Sequence, residues 1–259
     1  MIAFLSYAAL AIFCYMSILF VIALFKRDNS IADIGWGFGF VIVALLTFFL
    51  EQGFTARHIL VTALVVIWGM RLSTHIYLRN RGKGEDPRYA AWRKNWGNWF
   101  VVRSFFQVFM LQGLLLLFIA YAIILVNSSS EGGLSILDIC GLIVWIIGFL
   151  FESIGDLQLK RFIADKQNRG HILNTGLWRY TRHPNYFGEA TMWWGIFLIA
   201  LSVPYGWTAI ISPAVITFLL LRVSGVILLE KEFTDNEEFK EYKRRTSAFI
   251  PWFPKAEKS

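Results

Sequence analysis

The residues best suited to chemistry lie between Gly176 and Glu189, in the run Gly-Leu-Trp-Arg-Tyr-Thr-Arg-His-Pro-Asn-Tyr-Phe-Gly-Glu. Pro184 favours the first turn of a helix, so a helix is expected to begin there. The free N–H groups and partial positive charge of that helix end would meet Arg179, Arg182 and His183, making an anion site suited to phosphates. Asn185 and Tyr186 add neutral hydrogen-bonding groups, and Gly188 permits close approach. Glu189, one turn in, could accept from an amide or a ribose hydroxyl. An interfacial anchor on lipid headgroups would explain Trp178 and Arg182, but not the His-Pro-Asn-Tyr set.

Two further polar rows have helical spacing. Glu152, Asp156 and Lys160 recur every four residues and share one face, with Arg161 adjoining. Arg71, His75 and Arg79 recur in the same way, with Tyr77 off that face at a similar depth. Ionisable groups inside apolar runs are expensive and mark sites by default; structural ion pairing and snorkelling are the competing account. The two rows are expected to line one cavity. His171, in a basic loop, could touch a phosphate, whereas His58 is expected near the far surface with no role. The tail reads as a short amphipathic helix containing Tyr242, followed by an aromatic–proline segment. It could bind anionic lipid or close as a lid.

Other chemistries are poorly supported. Cys14 and Cys140 are expected to be packed apolar thiols, and the four histidines are dispersed, so no metal site is expected. There is no Walker loop, no strand-borne Gly-x-Gly-x-x-Gly, no serine nucleophile elbow and no His-Glu-x-x-His.

The elements that must position these residues follow from composition. Of 259 residues, 56% are hydrophobic and only 17% are charged, too few charges to cover a water-facing surface. Continuous apolar runs longer than about 18 residues predict membrane-spanning helices and argue against a transmembrane barrel. The predicted fold is all-α integral membrane, with seven helices over 2–25, 33–50, 58–78, 104–126, 134–155, 186–203 and 206–229. With seven spans, 22 of the 25 Lys and Arg fall on one side. The positive-inside rule then puts the N-terminus out and the C-terminus in the cytoplasm. That topology also accounts for the net charge of +7, so no nucleic-acid partner is expected. Residues 1–259 read as a single membrane domain, with the chemistry in the cytoplasmic half of a bacterial inner membrane.

Arg182-His183-Pro184-Asn185-Tyr186-Phe187-Gly188-Glu189 resembles the steroid 5α-reductase and sterol C14-reductase superfamily, and the whole chain is similar to its prokaryotic, DUF1295-type branch. The resemblance covers about residues 70–254, the cofactor half. It includes the Arg71–Tyr89 stretch, the Glu152/Asp156 row and the tail from Tyr242 to Pro251. It implies a seven-helix bundle holding NADPH. Glu152, Asp156, Lys160, Arg182, His183, Asn185, Tyr186, Glu189 and Tyr242 would contact the cofactor. Arg79 and Tyr77 fall where the reductases have basic and tyrosyl groups, and Trp178 is counted with the cofactor residues. Lys160, Arg161, Arg179 and Arg182 would hold the phosphates.

The implied activity is reduction of an activated C=C bond in a hydrophobic lipid substrate that enters from the bilayer. The catalytic acid would be Tyr77 assisted by His75 or Asp33. One departure concerns the substrate side. The reductases carry a Gln-Glu pair on an early helix, where this chain has Asp33 and Trp36; its only Glu-Gln, Glu51-Gln52, is reversed and expected on the opposite side. Membrane methyltransferases have a similar Arg-His-Pro block, so S-adenosylmethionine served by Glu189 and Glu230 is an alternative. A non-enzymatic lipid-binding protein is another.

Overall fold

The computed structural model describes residues 1–51, 53–131, 133–223 and 225–255, and of Glu232 only the backbone. Among these residues the chain is helical, with no β-strand and one isolated bridge, between Thr181 and Ser247. Six helical segments are long and apolar enough to cross a membrane by length and composition: 2–26, 31–50, 56–80, 87–127, 136–164 and 206–231. Gln52, and with it the Glu51-Gln52 pair, lies outside the described residues.

The predicted helices appear among the described residues with shifted ends. α1 (Ile2–Lys26), α2 (Ile31–Leu50) and α3 (Ala56–Asn80) are close to expectation. Thr55 caps α3 by accepting from the His58 backbone N–H. A helix the hydropathy pattern does not predict, α4 (Pro87–Trp96), precedes the fourth span. It starts on an aspartate-proline signal: the Asp86 carboxylate accepts from the Arg88 N–H, and Pro87 fills the first turn. α5 (Phe100–Arg103) leads into a π-helical stretch, Ser104–Met110, and then α6 (Leu111–Asn127).

α7 (Ile136–Ala164) runs past its predicted end, because Asp156, Lys160 and Arg161 continue the helix after hydropathy falls. α8 (Pro184–Ala200) begins at the expected proline and has 17 residues. The last predicted span is broken into α9 (Ile211–Phe218), a π-helical Leu219–Val223 and α10 (Val226–Glu232). α11 (Glu237–Arg245) is the expected tail helix, capped by Asn236 and burying Phe239 and Tyr242.

The chain falls into two compact units. The first contains residues 1–138 and 199–212. Here α2 and α3 approach backbone to backbone: a Cβ on Gly37 would lie 2.4 Å from the Gly69 carbonyl oxygen. Asn127 of α6 donates to Thr47 (3.0 Å) and Thr62 (3.2 Å), joining three helices through one buried amide. At another edge, Arg57 and His58, at the start of α3, are buried at 3% and 1% exposure. Arg57 pairs with Asp138 at 2.8 Å and donates to the carbonyls of Glu131 and Gly133. The His58 ring meets the Ser129 carbonyl at 2.7 Å and accepts from the Thr55 N–H. Loop carbonyls with no helical partner need such donors, which is why these two residues sit inside.

The second unit contains residues 139–198 and 213–259, described as far as Lys255. α7 and α8 pack through glycines: a Cβ on Gly188 would lie 2.4 Å from the Glu152 nitrogen, and one on Gly195 would lie 2.6 Å from the Gly141 oxygen. Small residues at such crossings are the usual means of close helix packing in membranes. Both cysteines are exposed, correcting the expectation of packed thiols. They lie on outward faces of α1 and α7, where apolar side chains suit lipid as well as core.

Candidate functional site

Within the second unit, the predicted acidic row and the Arg-His-Pro-Asn motif come together. Glu152 and Asp156 on α7 and Glu189 on α8 are buried. Asn185, one residue into α8, donates through its amide nitrogen to Asp156 at 3.1 Å. Its carbonyl oxygen is buried and has no partner among the described residues. The tight Gly148–Gly188 crossing sets this geometry, because it leaves no room between the two backbones. Lys160 and Arg161, one turn beyond Asp156, are exposed, as is Arg179. The row therefore runs from a buried acceptor end to an exposed basic end.

Arg182 and His183 are differently employed. Arg182 is buried against Glu230, with its ε nitrogen at 2.8 Å and a terminal nitrogen at 2.7 Å. The His183 Nε2 lies 3.3 Å from the same carboxylate and the Lys243 ammonium 2.9 Å from it. Another guanidinium nitrogen of Arg182 donates to the carbonyls of Lys243 and Thr246. The His183 ring also stacks on Tyr186, 5.5 Å between centroids. These contacts fix Arg182 as a strut between the turn before α8 and the tail.

The same turn is fastened on both sides. Trp178 donates from its indole nitrogen to the Gly155 carbonyl (3.1 Å), and the Leu177 N–H donates to Gln158 (3.0 Å). On the tail side, the Tyr242 hydroxyl donates to the Trp178 carbonyl, and Thr181 donates to the Phe249 carbonyl at 2.8 Å. Burial pushes the Tyr242 phenol well above its usual pKa, so it stays a neutral donor. Trp178 and Tyr242 are thus structural parts of the motif. His171 lies at an exposed position, 3.3 Å from Glu238.

The residues expected to do the chemistry lie in the first unit. Tyr77 is 51% exposed near the end of α3, and Arg79 is also exposed. Arg71 and His75 are half-buried on the same helix, and both have interaction partners. Asp33 sits elsewhere, in the first turn of α2, and its hydroxyl partner is Tyr89 rather than Tyr77: the Tyr89 phenol donates to Asp33 at 2.7 Å. Arg88 donates to the other Asp33 oxygen at 2.9 Å. Gln112 of α6 approaches both Asp33 and Tyr89 at 3.4 Å, while its own carbonyl oxygen is buried without a partner among the described residues.

Around this core, Glu85 accepts from the Asn29 N–H (2.9 Å) and from Arg93 (2.7 Å), and the Asp86 N–H donates to Ser30 at 2.8 Å. Burial alone would raise the Asp86 carboxyl, but the Arg88 hydrogen bonds and charge hold it below the usual range. Tyr89 and Gln112 escaped the sequence reading because neither belongs to an ionisable row. The Asp86-Pro87 helix start, which puts Tyr89 in the first turn of α4, was the available signal.

Among the comparisons with known proteins, a family model gives the family. The model of the family described as "Protein of unknown function (DUF1295)" matches residues 19–246. An uncharacterized protein of Schizosaccharomyces pombe is 25% identical over 221 residues, covering 74% of this chain. The match spans 64% of that relative's own length. No solved structure matches. Among the described residues there is no cluster of His, Cys, Asp and Glu that could hold a metal ion.

Proposed function

The chain belongs to the DUF1295 family, which is the steroid 5α-reductase-like membrane family, and from that premise we propose that it is an NADPH-dependent reductase of an activated C=C bond in a membrane lipid. The observation that carries this reading is the Asp156–Asn185 pair with its unpartnered Asn185 oxygen. A buried acceptor left without a donor costs about 1–3 kcal/mol, so this position calls for an N–H or O–H from a ligand. Ribose hydroxyls and a carboxamide suit the buried acceptors, and phosphates suit the exposed Lys160, Arg161 and Arg179.

Bound NADPH would supply the hydride. The protein's part is to orient it and to deliver a proton. Tyr89 gives its one hydroxyl proton to Asp33, so it would serve a substrate carbonyl by turning that proton away from Asp33, whose carboxylate Arg88 would go on holding, and Gln112 is a second polar group at the same place. Tyr77 and His75 form the alternative donor set. The reading includes seven spans, α8 being the seventh: 17 residues rise about 25 Å, near the bilayer's apolar thickness. It also includes a cytoplasmic site, supported by the one-sided Lys and Arg distribution.

One observation favours a second reading. Arg182 and His183 are engaged with Glu230, while three carboxylates are buried around α7 and α8. A cationic cofactor such as S-adenosylmethionine would suit that balance, making the protein a lipid methyltransferase.

Thermal shift of the detergent-purified protein with NADPH, NADH and S-adenosylmethionine separates the two. Stabilisation by NADPH, weakened in Asn185→Ala, is the expected result. Stabilisation by S-adenosylmethionine alone would overturn the reductase reading.

A further inference from the structure

Beyond the site, the last described residues form a patch that no other described residue of the second unit covers. Ile250, Trp252 and Phe253 are 65%, 71% and 77% exposed. Their backbone is nevertheless fixed. The Trp252 N–H donates to the Tyr180 carbonyl at 2.9 Å, and the Lys255 N–H donates to Arg245 at 3.0 Å. The Phe253 ring meets Tyr180 edge-on, with 6.1 Å between centroids. Three large apolar side chains are thus held outward on a pinned strap, where water would ordinarily disfavour them.

The position of the strap names its occupant. The spanning segment 206–231 ends six residues before α11 begins, a gap of at most about 22 Å. The Arg182–Glu230 pair places the start of α8 beside the end of that segment. The strap is therefore tied to the ends of two apolar helices, at the level where they leave the bilayer. Aromatic side chains concentrate at that level. Residues 237–255 carry five Lys and Arg against three carboxylates, a balance that favours an anionic leaflet.

We propose that Ile250–Phe253 is a bilayer anchor, with the Trp252 and Phe253 rings in the interfacial layer of an anionic leaflet and the neighbouring cations on lipid headgroups. The anchor presses the strap from outside, while Tyr242, Thr181 and Arg182 hold it from inside.

The test is spin-label depth in the full chain, reconstituted in nanodiscs of equal parts phosphatidylcholine and phosphatidylglycerol. The label is placed by Trp252→Cys, or by Phe253→Cys should the first variant not fold, in a Cys14→Ala, Cys140→Ala background. The expected result is an oxygen-to-nickel-chelate collision ratio several-fold above that of a Lys83→Cys control in an exposed loop, falling in phosphatidylcholine alone. A ratio equal to the control would overturn the anchor. So would low collision with both reagents, which is the signature of cover by a second copy. Equal depth in phosphatidylcholine alone would overturn the anionic-lipid part.

Discussion

Arg57–Asp138 and Arg182–Glu230 are both buried guanidinium–carboxylate pairs, at 2.8 and 2.7 Å, yet they are built for different ends. Around Arg57 the charges balance, one against one, and the spare donors go to loop carbonyls. Four of the five guanidinium N–H groups are spent on partners within the protein. Around Glu230, Arg182, His183 and Lys243 converge on one carboxylate, and Lys243 is half exposed. That arrangement gathers three basic side chains on one carboxylate while bracing the turn before α8. A balanced buried pair is a staple; an unbalanced one can also bias what binds nearby.

The sharpest way to break the comparison is Arg57→Ala. It leaves the buried Asp138 carboxylate without its cation, with the Ser135 N–H and hydroxyl as remaining donors, and should cost about 3–5 kcal/mol in a detergent-denaturant unfolding titration. NADPH affinity of the folded fraction should be unchanged. A smaller loss of stability, about 2–3 kcal/mol, is expected for Glu230→Gln, because Lys243 can turn to water and Arg182 keeps its tail carbonyls. Here binding should weaken by about tenfold, with faster proteolysis of the tail; equal binding in both variants would erase the distinction.

Gly188→Ala tests the frame rather than the charges. Its Cβ would sit 2.4 Å from the Glu152 nitrogen, so a cost of about 1–3 kcal/mol is expected. Gly84→Ala, with nothing within 4 Å, should be close to neutral.

The smallest effect is a pH dependence in the first unit. Asp86 has a lowered pKa in the fold. Its contribution is therefore present above the unfolded value, about 3.9, and is lost as pH falls through the lower folded value. Melting should not vary through this group above about pH 5 and should decline below about pH 4. Asp86→Asn should remove that part, about 1 kcal/mol or less for a partly exposed pair.

What the sequence made legible follows period and type. Long apolar runs predicted α1, α2, α3 and α7 to within a few residues at most ends, because lipid-facing helices need little beyond hydropathy. The Glu152/Asp156 row was legible because four-residue spacing survives whatever the neighbours do. Contacts between distant segments were not. Nothing local says that Arg182 spends its guanidinium on Glu230, 48 residues on, or that Asp33 finds Tyr89 rather than Tyr77. Nor does anything local give His58 its partner, because the Ser129 carbonyl it meets lies 71 residues away. Cys14 and Cys140 were misplaced for another reason: in a bilayer, apolar does not mean interior.

The π-helical stretch Ser104–Met110 stands between Tyr89 and Gln112, two groups that meet at 3.4 Å. A π turn accommodates an added residue in an α-helix, and each residue of an α-helix turns the chain by about 100°. Deleting one residue there would rotate everything upstream like a key in a lock, swinging Tyr89 away from Gln112 without altering either side chain. Insertions and deletions in this stretch are thus a coarse dial on the Asp33 cluster, and substitutions a fine one.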